Sequence, residues 1–320
     1  MIETRFTQLF DVSVPIQLAA MPGVSTPELV AAVSEAGGLG MLGTGAMSPE
    51  ALSQAIGAVA ERTSRAFGVN FLMPFLNREC LDVAARTVRL VEFFYGDPDS
   101  SLVETAHAAG ARVSWQVGSP AEALAAERAG CDIVVAQGTE AGGHVRGTTS
   151  LLPLLSRVID TVALPVVAAG GIATARDLAG VLACGASAAR IGTRFLATPE
   201  SGAHPAYVQA LLAAEADDTC LTEAFSVLWP NAPHRVLRSA IIAAEALTED
   251  TAGALEVDGV ILQVPRLSVF PPSRDATGHV EAMALYAGES VANVREVRPA
   301  AEIVAEMAAG AERLLARRSG

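Results

Sequence analysis

No stretch of the sequence stays apolar for the roughly 18 residues that a bilayer-spanning helix needs, and no secretory apolar core follows the opening MIETRFTQLF. Basic residues are in the minority, 22 against 35 acidic ones for a net charge of −13, and they do not cluster before the terminal RLLARR. That balance speaks against a nucleic-acid partner. The four cysteines, Cys80, Cys131, Cys184 and Cys220, form no CxxC pair. They suit reduced thiols and give no metal signature. No histidine pair has metal-ligand spacing either. A GxGxxG fingerprint and a Walker lysine are also missing, so a Rossmann dinucleotide site and a P-loop are not expected. These absences lead us to expect a soluble, cytoplasmic protein with no membrane, nucleic-acid or metal partner; a homodimer is compatible with them.

What is present is a large apolar fraction. Hydrophobic residues make up 51% of the 320 residues and charged residues 18%, enough for a sizeable core. Short apolar runs alternate with Ala/Leu-rich helical segments. Eight strands are expected, at 15–20, 38–43, 66–73, 90–96, 112–118, 132–138, 165–171 and 188–196. Most are continuous apolar runs, as in parallel strands buried on both faces. Thr26-Pro27, Ser48-Pro49 and Ser119-Pro120 each offer a capping hydroxyl ahead of a first-turn proline. Ser119 and Glu122 have capping-box spacing, Thr174 and Asp177 a looser version, and Gly185 ends the helix they begin. Eight β/α units predict an α/β fold, a (β/α)₈ TIM-type barrel; a doubly wound open sheet is the competing architecture. The rhythm breaks after RFLATPES. We therefore expect a barrel over 1–216 and 286–320, with a final helix from Pro299 to about Arg317, and a smaller lid-like domain over 217–285 that covers the substrate.

Barrel active sites lie in the loops after the strands. After the seventh strand, Gly170 and Gly171 expose backbone N–H groups beside a helix start; after the eighth come Gly192 and Thr193. Paired loops of this kind hold a phosphate through backbone donors and a helix dipole, without lysine. A phosphate with no dinucleotide motif suggests a mononucleotide cofactor, FMN. Met21, Asn70, Gln116 and Gln137 would then face its ring, since amides can donate to and accept from a flavin's pyrimidine edge.

The segments PIQLAAMPGVSTPELVAAVSEAGGLGMLG, FGVNFLMP, AQGTEAGGHVRG, PVVAAGGIATARDLAGVLACGASAARIGTRFLATPES and ALYAGESVANV, in this order, resemble the nitronate monooxygenase family, formerly called 2-nitropropane dioxygenases. The resemblance spans nearly the whole chain. It implies an FMN-containing barrel with a smaller substrate-covering domain, acting on a nitronate or nitroalkane with O2. It also implies FMN contacts at Asn70, Gln137, Gly142, Gly171 and the run Arg190, Ile191, Gly192, Thr193, with His144 as the catalytic base. Gly142 and Gly143 would let the backbone pass close to the flavin plane. An imidazole suits either proton abstraction or hydrogen bonding to a nitronate. The sequence departs from the family pattern at Leu18, Ala20 and Pro22 of the first-strand motif, and at Arg190, where the family often has Gln.

Two other readings stay open. An FMN-dependent enoyl-acyl-carrier-protein reductase using NAD(P)H shares the EAGGH and GTRF motifs, although a charge of −13 opposes docking an acidic carrier. A non-catalytic flavin-binding protein would retain the phosphate loops but need not keep His144. Phe71, Phe75, Trp229 and Phe270 are candidate pocket walls; His107, His204, His234 and His279 carry no motif.

Overall fold

The computed structural model describes residues 2–257 and 260–316; Arg317, the expected end of the last helix, lies outside them. Eight parallel strands run Ile16–Leu18, Gly40–Gly43, Phe67–Leu72, Leu90–Phe94, Arg112–Val117, Ile133–Gln137, Val166–Ala169 and Ala188–Ile191. Each is hydrogen-bonded to its successor from the second strand to the eighth, and the eighth pairs with the first. The circle is completed between the first and second strands by a parallel bridge from Gln17 to Leu39. There Leu18 N–H donates to Leu39 O and Leu39 N–H to Ile16 O, both at 2.9 Å. Closure leaves no free edge, so this is a barrel and not an open sheet.

The helices between strands start where the capping residues stand. Thr26, Ser48 and Ser119 each accept a backbone N–H two residues beyond the first-turn proline. Thr174 and Asp177 form a full reciprocal capping box. Ser119 and Glu122 do not: the Glu122 carboxylate instead accepts from Gly118 N–H at 2.7 Å and from Arg146 Nε at 2.9 Å. The eighth strand stops at Ile191, because Thr193–Leu196 turns into a short helix.

Strand alternation divides the barrel interior into two floors. Outward-facing Ile16, Val69, Phe71, Val91, Phe93, Val113 and Trp115 pack against the helices. Inward-facing residues near the strand starts, including Leu39, Met41, Leu90, Ile133, Val135 and Val167, pack instead on Phe6 and Phe10 of the N-terminal helix Arg5–Phe10. That helix plugs one end of the barrel. Burying each phenylalanine contributes about 1.5–3 kcal/mol. The next inward floor, toward the strands' C-terminal ends, is polar. It contains Gln17, Asn70, Glu92, Ser114, Gln116, Gln137 and Arg190, all buried.

A second apolar cluster links Val24 and Leu196 of the barrel to Tyr207, Phe225, Val236, Leu255, Met283 and Val291. It is built from the helix Pro205–Ala213, the strands Thr219–Thr222 and His234–Leu237, the helix Arg238–Ala246 and the hairpin of Thr251–Val257 with Val260–Pro265. The helix Ala300–Ala316 returns to pack on the barrel helices. No helix among the described residues is long and apolar enough to cross a membrane.

Candidate active site

Polar residues on the upper floor bind one another through a side chain that the motifs do not mark. Glu92, fully buried on the fourth strand, accepts from Asn70 Nδ2 at 2.9 Å and from Ser114 Oγ at 3.0 Å. Across the barrel the Arg190 guanidinium donates to Glu92 and to Gln116 Oε1. Two of the residues expected to meet a cofactor, Asn70 and Arg190, are thus fixed by a carboxylate, and Arg190 in turn holds Gln116. Glu92 was visible in the sequence as the one charged residue inside an apolar strand, LVEFF.

Above this floor the chain leaves the sixth strand through QGTEAGGH. Gln137 Nε2 donates to the carbonyl of His144 at 2.9 Å, folding the loop back over its own strand. Glu140 caps the helix Leu151–Thr161, both carboxylate oxygens lying 2.9 Å from Leu151 N–H. Gly143–His144 then joins the sheet of Thr219–Thr222 and His234–Leu237, with His144 opposite His234 and Gly143 opposite Arg235. The loop is therefore fixed from both sides.

Gly142 and Gly143 do different jobs. A Cβ on Gly142 would lie 2.5 Å from Gly288 N and 2.7 Å from the Ala287 carbonyl carbon, so this glycine admits the ALYAGES backbone. Gly143 has φ +77° and nothing within 4 Å of where its Cβ would be. Only Gly143 has open space beside it.

His144 sits within an aromatic enclosure. Its ring stacks on Trp229 at 3.9 Å and 18°, and Tyr95, Tyr286 and His234 stand 5.9, 5.6 and 5.2 Å away, centroid to centroid. Burial, and secondarily the neighbouring His234, pull the His144 pKa down to about 3. Burial also lowers that of His234, whose Nδ1 faces Ala232 O and whose Nε2 accepts from Phe225 N–H. Both rings are therefore neutral at neutral pH. Tyr286 lies within the ALYAGES segment and Tyr95 directly follows the fourth strand, whereas His234 carries no motif and reaches His144 through cross-strand pairing.

The remaining expected residues fall as follows. Met21 is half-buried, touches both apolar clusters, and has its sulfur near Gly192. Gly170 and Gly171 form the turn after the seventh strand, against the Gly138–Ala141 loop. Thr193 Oγ1 accepts from Gly288 N–H at 3.0 Å. Ile191 points away, its side chain buried outward among the helices, so that only its backbone borders the site. Among the candidate walls, Phe75 meets Trp229 edge-on at 5.2 Å, whereas Phe71 belongs to the outward core and Phe270 to the second cluster.

Among the described residues, four buried side-chain atoms have no hydrogen-bond partner: Gln17 Oε1, Gln137 Oε1, Arg190 Nε and His144 Nε2. Natural interiors rarely leave such atoms unpaired unless a ligand or water meets them. Gln17 and Arg190 are register partners on adjacent strands, so an unused acceptor and an unused donor belong to neighbouring inward-facing residues. A flat heterocycle that both donates and accepts fits this set. The sequence contains no lysine. An anionic tail would rest on backbone N–H groups after the seventh and eighth strands.

Comparison with known proteins agrees with this arrangement. The nitronate monooxygenase family model matches residues 3–79 and 75–310. A probable nitronate monooxygenase of Staphylococcus aureus strain JH9 is 32% identical over 273 residues, covering 70% of this chain and 76% of the relative. FabK from Thermotoga maritima has the same fold with a TM-score of 0.84 and 31% identity, over 100% of this chain and 99% of that one. The nitroalkane oxidase of Streptomyces ansochromogenes gives 0.80 and 33%, over 98% and 99%. The barrel, the glycine-rich loop ending in His144 and these likenesses along the chain place the protein, an oxidoreductase, in the nitronate monooxygenase family.

Proposed function

We propose that this enzyme oxidises small alkyl nitronates with molecular oxygen, using FMN bound at the C-terminal mouth of the barrel. The observation that carries the reading is His144 Nε2, buried without a partner, on a loop that Gln137 and the smaller unit both hold in place above the polar floor. Gln17, Gln137 and Arg190 would hold the pyrimidine end of the flavin through their unused atoms, and the backbone at Gly170, Gly171, Gly192 and Thr193 would hold its phosphate. When bound, FMN supplies the electron acceptor that passes electrons on to oxygen. The smaller unit over 217–285 covers the substrate side.

The state of His144 favours an anionic substrate. An imidazole whose pKa is near 3 is a weak base toward a neutral nitroalkane. A nitronate is already deprotonated, and its charge beside the ring favours imidazolium. His144 then holds the nitro oxygens and takes up a proton only in the substrate's company.

The test is anaerobic mixing of the purified yellow protein with propyl-2-nitronate and, separately, with NADPH. Bleaching of the flavin by the nitronate, with oxygen consumption in air, is expected. Bleaching by NADPH alone would replace this reading with the enoyl reductase that the FabK likeness raises. Bleaching by neither would leave a flavin-binding protein without turnover.

A further inference from the structure

The free nitrogen of His144 is buried, and the side chains packed around its ring are not equally tied. His234 is held by hydrogen bonds through both ring nitrogens. Tyr286 donates its hydroxyl to Val269 O at 2.9 Å, and its carbonyl accepts from the Tyr207 hydroxyl. Trp229 has ring contacts only, with His144, Tyr95 and Phe75. Its indole N–H has no partner among the described residues.

The backbone that carries Trp229 is also unusual. Leu228 and Asn231, on either side of it, have φ of +78° and +56°; Leu267, whose carbonyl accepts from Val227 N–H, has φ +61°. The left-handed region is uncommon for non-glycine residues and a genuine outlier for a bulky one such as leucine, and such conformations persist where the surroundings enforce them. Leu228 gains nothing from burial in return, since it is 57% exposed. Three left-handed residues in two adjoining loops thus press one indole, without a polar tether, against the face of the candidate catalytic ring.

We propose that Trp229 is the specificity-determining residue of the site: its indole covers His144, and a substrate reaches Nε2 only by taking part of the space the indole fills. Small alkyl nitronates slide in against the ring, while aromatic substituents collide with it. The cover on His144 stands on geometry alone; the selection among nitronates rests on the function proposed above. Tyr95, with φ +66° and its ring 4.7 Å from Trp229, backs the indole.

The experiment compares wild type, Trp229→Phe, Trp229→Leu and Trp229→Ala, each as the flavin-loaded protein. Modification of His144 by diethyl pyrocarbonate is followed by mass spectrometry, with the half-exposed His107 as internal reference. In parallel, kcat/KM is measured for propyl-2-nitronate and for the nitronate of phenylnitromethane. In the Ala variant we expect His144 to react about tenfold faster relative to His107, as local cover is lost. We also expect the ratio of phenyl to propyl kcat/KM to rise about tenfold or more. Leucine should give the same directions with smaller changes, and phenylalanine, which can still stack, should stay near wild type. If alanine fails to fold, the leucine variant decides. An unchanged modification rate overturns the proposal, and so does an unchanged selectivity ratio in an enzyme that turns over both nitronates. A wild type that oxidises neither nitronate removes the proposed function, and the modification rate then decides alone whether Trp229 covers His144.

Discussion

Glu92 and Arg190 face each other across the inside of the barrel as an ion pair, the carboxylate side chain fully buried and the guanidinium 6% exposed. The carboxylate also takes hydrogen bonds from Asn70 and Ser114, so one acidic group positions a whole polar floor. Removing one member of a buried pair leaves the other charge unsatisfied. Glu92→Leu should therefore cost about 3–5 kcal/mol of stability in urea denaturation, whereas the double replacement Glu92→Leu with Arg190→Met should recover most of it. Costs that simply add in the double variant would mean that the two side chains do not depend on each other.

Much of this architecture can be read from the chain because local signals and the global fold agree. The proline-led caps at Thr26, Ser48 and Ser119 and the apolar runs between them specify the β/α rhythm without help from tertiary contacts. The site is less legible for a physical reason. Glu92 and Gln17 are single polar residues in apolar strands, and their meaning depends on which face points inward and which strand lies opposite. His234 and Trp229 reach His144 only because its loop pairs into a second sheet, at separations that no periodicity records. The motif gives Gly142 and Gly143 alike, and only the fold shows that the space beside Gly142 is taken by the Ala287–Gly288 backbone. The motif marks the loop that carries His144, and packing separates its two glycines.

The buried histidines predict a pH dependence. The native pKa of His144 is about 3, and that of His234 is also lowered. The unfolded value for a histidine is near 6.5. Above that pH both states are neutral and neither ring contributes. As pH falls below it, the unfolded chain takes up protons that the native state refuses, so stability falls. The slope is about 1.4 kcal/mol per pH unit for each histidine until its native pKa is reached. Urea titrations of the flavin-free protein between about pH 7 and 5, a window that spares most carboxylates, should show this loss. His144→Phe, which keeps a ring against Trp229, should remove one proton's share of the slope. Equal slopes in the two proteins would show that native His144 protonates freely.

Gln17 tests whether the unpaired atoms exist for a ligand. It is 1% exposed and its Oε1 has no partner, although Arg190 Nε, also unpaired, belongs to its register partner. A buried acceptor left without a hydrogen bond costs about 1–3 kcal/mol. A fold selected for stability alone would be better served by leucine, which has nearly the same volume. Gln17→Leu should therefore stabilise the flavin-free protein by about 1 kcal/mol in urea denaturation. If the amide exists to meet FMN, the same change should weaken FMN binding about tenfold, read by quenching of flavin fluorescence on titration into the stripped protein. The two effects have opposite signs, which separates them from ordinary core damage. A variant less stable without flavin but with unchanged FMN affinity would place Gln17 in the service of the fold, and the pairing with Arg190 would then lose its meaning as half of a cofactor cradle.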